Sequence, residues 1–139
     1  MEQHFQYRSI IQEVPGIRKD LSSLKAEWNI PNSEFKQILF IVEELFSNII
    51  RYAFQDTREH LVEVVIKRNA EHIVLEIEDD GIPFDPTSYL PDVNSDPADA
   101  HTSGMGLSLV KTFADSITYQ RNNQRNCLEI VKSIKSNNG

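Results

Sequence analysis

Apolar residues at Phe35, Ile38, Val42, Leu45, Ile49 and Ala53 recur at helical spacing, the pattern of a helix that buries one face. They predict a long helix over residues 32–54, which Asn32 or Ser33 can cap. A shorter helix over 16–28 carries Leu21, Leu24 and Trp28 at the same spacing; Pro15-Gly16 opens it, and Pro31 separates it from the next. Elsewhere the period drops to two. Residues 61–68 and 72–79 are β-type runs divided by Asn69-Ala70-Glu71, which predicts a hairpin. Further strands are expected at 4–11, 116–121 and 127–134, with a helix at 107–114. Residues 80–103 hold Pro83, Pro86, Pro91 and Pro97 among many Asp, Ser, Thr and Asn residues, and read as one long loop. Loops of that length in a compact domain serve more often as lids or binding segments than as passive connectors.

The resulting order, β, α, α, β, β, loop, α, β, β, predicts an α/β (α+β) two-layer sandwich: a mixed, largely antiparallel sheet with helices on one face. It lacks the strand-helix alternation of a doubly wound parallel sheet. With 139 residues the chain fits one domain, expected over 1–135 with a frayed tail at 136–139. The single cysteine, Cys127, cannot form an internal disulfide, and His4, His60, His72 and His101 are scattered without zinc spacing. A reducing cytoplasm is the simplest compartment. No signal-peptide pattern and no bilayer-length apolar run is present, so no membrane role is expected. A formal charge of −7 argues against direct binding of nucleic acid. It does not exclude a nucleotide, whose affinity comes from local amides and a metal ion.

Three constellations could carry chemistry. Glu44 and Asn48, four apart, share one side of the long helix at the edge of its apolar arc. An amide oxygen there suits Mg²⁺, and a carboxylate one turn earlier could take a proton from a hydroxyl or water; equally, the two could be ordinary surface residues, as the neighbouring Glu43 is expected to be. Asp79 falls on the same face as Ile73, Leu75 and Ile77, where an ionised carboxylate is costly unless satisfied. Its oxygens suit an exocyclic amine such as adenine N6, and Gly81 lets the backbone turn closely; alternatively, Asp79 and Asp80 simply end the strand in an Asx-type turn. Finally, Thr102-Ser103-Gly104-Met105-Gly106-Leu107 sits where a loop enters a helix, a place that favours phosphate, or serves only to start that helix. It is neither a Walker A loop nor a dinucleotide fingerprint.

Taken together, Glu44-Leu-Phe-Ser-Asn48 with Tyr52-Ala53, Asp79-Asp-Gly81-Ile-Pro83-Phe-Asp85 and Gly104-Met-Gly106-Leu107 resemble, in order and spacing, the N, G1 and G2 boxes of the GHKL (histidine-kinase-like) ATPase superfamily. The Ser-Gly-Met-Gly form of the last box and the brief lid look most like the anti-sigma-factor serine/threonine-protein kinases. Tyr52 stands where the family often has His, and Pro83 where many members have another glycine. The resemblance implies a Bergerat ATP-binding fold with ATP and Mg²⁺ as cofactors. Within it Glu44 would be the general base, Asn48 the metal ligand and Asp79 the adenine acceptor. Tyr52, Gly81, Pro83, Phe84, Ser103, Gly104, Met105, Gly106 and Leu107 would complete the nucleotide site. It also implies a STAS-type anti-sigma-factor antagonist as substrate, a sigma factor as second partner, and a homodimer. Two alternatives are a non-catalytic ATP-binding regulatory module and the ATPase domain of a histidine-kinase-like signalling protein. The acidic loop residues Asp92, Asp96 and Asp99 could form a partner surface or a solvated loop.

Overall fold

The computed structural model describes residues 1–88 and 104–134. Five strands form one sheet in the order β1-β2-β3-β5-β4, made of β1 (Glu2–Arg8), β2 (Leu61–Arg68), β3 (His72–Asp79), β4 (Ser116–Asn122) and β5 (Arg125–Ser133). Every neighbouring pair is antiparallel, so among the described residues the expected mixed sheet has no parallel member. Among the described residues, three α-helices accompany it: α1 (Val14–Glu27), α2 (Asn32–Tyr52) and α3 (Gly104–Phe113). The sandwich and the element order stand as expected. No helix among the described residues is long and apolar enough to cross a membrane.

Strict alternation in the strands makes one face of the sheet apolar. Val62, Val64 and Ile66 of β2, Ile73, Leu75 and Ile77 of β3, and Leu128 and Ile130 of β5 are buried together. Against them lie Ile17, Leu21 and Leu24 of α1, Ile38, Ile41, Val42, Leu45, Phe46 and Ile49 of α2, and Leu107 and Val110 of α3. The outer face keeps Glu63, Lys67, Glu76 and Glu129, which the same period of two turns outward.

Several boundaries move for identifiable reasons. Strand β1 begins earlier and ends at Arg8, because Ser9 N–H bonds the His60 carbonyl and a 3₁₀ turn, Ile11–Glu13, follows. Neither Asn32 nor Ser33 caps α2: Pro31 is the N-cap, without a side-chain cap, and Ser33 Oγ donates to Glu34 instead. Helix α1 ends through Asn29, which takes a positive φ of 52° just past the terminus. Helix α3 starts at Gly104 rather than Leu107, so the glycines belong to its first turn. Strand β5 begins two residues before the expected Cys127, after a turn in which Asn123 and Gln124 both have positive φ, 53° and 63°. Two consecutive left-handed residues are the signature of a tight type I′ hairpin.

Ser103, the loop aspartates Asp92, Asp96 and Asp99, and the tail 136–139 lie outside the described residues. Of the loop that begins at Asp80, residues 80–88 are described, and they end in the 3₁₀ turn Pro86–Ser88.

Candidate functional site

The second half of α2 carries Glu44 and Asn48 toward the first turn of α3. Asn48 is buried at 2% exposure, and its Nδ2 donates to the Glu44 carbonyl at 2.7 Å and to Glu44 Oε1 at 2.9 Å. With the donor end committed, the carbonyl end has a fixed direction. That oxygen, Oδ1, is buried without a hydrogen-bond partner among the described residues. A buried, unpaired amide oxygen costs on the order of 1–3 kcal/mol. The Glu44 carboxylate itself lies against Gly106: a methyl group on Gly106 would overlap Oε1 and the carboxyl carbon. Glycine at 106 therefore permits the close approach of α2's acid to α3.

Asp79 closes β3 on the buried face, as the alternation predicts, at 1% exposure. Its pKa is raised, chiefly because burial disfavours the charged form; the Asn126 amide and the Gly81 N–H act in the opposite direction. Both of those hydrogen bonds end on Oδ1, at 2.8 Å from Gly81 N and 2.9 Å from Asn126 Nδ2. The next residues turn sharply under the end of α2. Ile82 N–H donates to the Ala53 carbonyl at 2.8 Å, and a Cβ on Gly81 would collide with that same carbonyl. Phe84 is buried and packs on Tyr52, ring centroids 5.5 Å apart, while Pro83 is exposed at the rim. Leu107 is a core residue of α3. Of Gly104 and Met105 only the backbone, in the first turn of α3, is described. The structure thus brings together Glu44, Asn48 and Gly106 at one end, and Tyr52, Asp79, Gly81 and Phe84 at the other.

Sequence reasoning missed Asn126. It faces Asp79 directly across the β3–β5 ladder, is 2% exposed, and fills its hydrogen-bonding capacity. Nδ2 donates to Asp79 Oδ1 and to the Ile82 carbonyl at 2.8 Å; Oδ1 accepts from Phe84 N–H at 3.1 Å, Tyr119 Oη and Arg121 Nη1. The alternation running back from Ile130 through Leu128 was the available signal.

The sequence profile described as the histidine kinase-like ATPase domain matches residues 9–132, nearly the whole chain. The chain belongs to that family. A serine/threonine-protein kinase, BtrW of Bordetella bronchiseptica, is 29% identical over 90 residues, 64% of this chain and 63% of that protein. The match thus spans less than two thirds of the relative's length. Among solved structures, that of the RsbU and RsbW domains of a Mycobacterium tuberculosis protein superposes with a TM-score of 0.66 at 11% identity, covering 98% of this chain and 33% of that one. A chain of the SiaB–SiaC complex from Pseudomonas aeruginosa gives 0.57 at 18% identity, over 95% and 89%. At those identities the likeness is one of fold.

Proposed function

We propose that the chain is an ATP-dependent serine/threonine protein kinase and anti-sigma factor that phosphorylates a STAS-type anti-sigma-factor antagonist. The observation that carries the kinase reading is the Glu44 carboxylate, oriented by the Asn48 amide and set against the first turn of α3. A protein that only binds ATP has no need of a carboxylate held one turn before the candidate metal ligand.

In this reading Asp79 accepts the exocyclic amine of adenine, with Tyr52 and Phe84 beside it, and the amides that open α3 receive the phosphates. The buried Asn48 Oδ1 fits a hard cation such as Mg²⁺, whose remaining ligands would come from phosphate and water, since no cluster of three or more His, Cys, Asp or Glu occurs among the described residues. When bound, the ion would neutralise charge on the phosphate oxygens. Glu44 takes the proton of the acceptor Ser or Thr hydroxyl as its oxygen bonds the γ-phosphorus; the bond from that phosphorus to the bridging oxygen breaks, and ADP leaves.

The name of the Bordetella relative supports the kinase assignment, and the RsbW and SiaB–SiaC likenesses agree with it at the level of fold. A sigma factor as second partner, a homodimer and a cytoplasmic location belong to the same proposal. The test is to capture partners from the source cell, add labelled Mg-ATP, and look for phosphoserine or phosphothreonine on a small captured protein. Tight ATP binding with no transfer to any captured partner would overturn the kinase assignment and favour a regulatory module.

A further inference from the structure

Along the sheet, register places Arg121 of β4 opposite Asn126 of β5, and Asn126 opposite Asp79 of β3. The next row inward is Tyr119, Leu128 and Ile77, largely apolar. A row of three polar side chains at the rim of an apolar face needs a reason, because each must find partners there. Arg121 Nη1 donates to the Gly81 carbonyl at 2.8 Å and to Asn126 Oδ1 at 3.1 Å. The Gly81 N–H already donates to Asp79 Oδ1. Gly81 is therefore held at both ends, by the aspartate through its N–H and by the arginine through its carbonyl.

The Asn126 amide is the centre of this arrangement, and an amide has two nearly isosteric ends. Turned by 180°, its oxygen would face the Asp79 carboxylate and the Ile82 carbonyl, both acceptors. Phe84 N–H, Tyr119 Oη and Arg121 oppose that turn by donating to Oδ1. Arginine contributes most to it, being permanently charged and unable to act as an acceptor.

We propose that Arg121 is a positioning residue for base selection: it locks the polarity of Asn126 and the Gly81 turn, and through them commits Asp79 Oδ1, so that Oδ2 serves as the base acceptor. The inference rests on the ATP-site reading and adds to it a residue from the sheet edge that touches no nucleotide. Its consequence is specific. An acceptor held in this way favours a purine with an amine at position 6 over one with a carbonyl there.

The experiment compares binding of Mg-ATP and Mg-ITP, which differ at that position, in wild type, Arg121→Met, Arg121→Lys and Tyr119→Phe, with melting curves confirming the fold. Wild type should prefer ATP by about 10- to 100-fold. Arg121→Met should lose most of that ratio through weaker ATP binding, with ITP affinity held within about twofold. Tyr119→Phe, which removes one neutral donor to Asn126 and leaves Arg121 in place, should lose less of the ratio than Arg121→Met, and Arg121→Lys, which keeps the charge on a shorter side chain, should fall between wild type and Arg121→Met. If Arg121→Met does not fold, the Lys variant decides alone, and a wild-type ratio there overturns the proposal. A wild-type ratio in Arg121→Met, or equal loss of both nucleotides, also overturns it. A wild type that binds neither nucleotide overturns the ATP-site reading itself; one that prefers ATP while the variants are unchanged overturns only the role of Arg121.

Discussion

The two ends of the site are built on opposite plans. At the end proposed to bind the base, Asp79, Gly81, Ile82, Phe84, Asn126, Tyr119 and Arg121 hydrogen-bond one another, and Asn126 alone makes five hydrogen bonds. At the end proposed to hold phosphate, Asn48 keeps a buried oxygen without a partner among the described residues, and the Glu44 carboxylate lies close against Gly106. The first is braced by its own hydrogen bonds, with Asp79 Oδ2 left for the proposed base, while the second leaves an oxygen for the proposed cation. On the proposed reading, a rigid base pocket would set selectivity before binding, and an unsatisfied phosphate pocket would store a local penalty that a cation relieves.

Mutations should separate the two plans. The largest effect is expected from Asn48→Ala: Mg²⁺-dependent stabilisation by ATP, about 2.7 kcal/mol at a hundred times Kd, should vanish. The substitution also removes the Nδ2 hydrogen bonds to Glu44, so the ligand-free protein should lose about 1–3 kcal/mol, and the Mg-ATP shift is read against each variant's own baseline. Unchanged melting shifts with Mg-ATP would move the metal elsewhere. Next, Glu44→Ala should bind ATP nearly as wild type but transfer phosphate about 10² to 10⁴ times more slowly in a single-turnover assay; normal turnover would remove Glu44 as the base.

The glycine of the rigid end should behave differently. At Gly81 a new methyl meets the Ala53 backbone, which cannot swing aside. Gly81→Ala should therefore cost about 1–3 kcal/mol in denaturant unfolding even without nucleotide. A variant as stable as wild type would show that the base end is not rigid.

The smallest effect is one of pH. Beside the Gly81 turn, His60 Nε2 lies 2.8 Å from Asp56 Oδ1 and Nδ1 lies 3.0 Å from Asp80 Oδ1, and only imidazolium donates from both nitrogens. Its pKa is raised, first by the hydrogen bond to Asp56, with the charges of Asp56 and Asp80 adding and partial burial opposing. Stability from this clamp is therefore fully present below the ordinary histidine value of 6.5 and lost as pH rises through the raised folded value. Melting temperatures taken upward from about pH 6 should fall more steeply in wild type than in His60→Phe, which can keep the stack on Phe54. Parallel curves would dismiss the clamp.

Much of this site is legible in the chain because its parts obey local rules. Asp79 is found by alternation, and Glu44 and Asn48 by helical spacing. The remainder depends on partners far away in sequence. Asn126 was hidden in the polar run that precedes Cys127, where turn chemistry and strand alternation give opposite readings; the positive φ of Asn123 and Gln124 confines the turn to two residues and frees Asn126 for the strand. The start of α3 was displaced for a related reason. Glycine is a poor helix former, so residues 104–106 read as loop, yet the Glu44 carboxylate requires glycine at 106 whatever its intrinsic propensity. The unused caps Asn32 and Ser33 show the limit of cap rules when proline already sets the entry to α2.

The pairing of Asp79 with Asn126 spans 47 positions. A ribosome emits the aspartate first, and its counterpart emerges only after the intervening loop, α3 and β4. Until then a nascent chain exposes a half-made Asp79–Asn126 pair whose acidic residue remains hydrated, so this end is assembled late in synthesis. On the proposed reading, nucleotide would act as a folding ligand only once the last hairpin has closed.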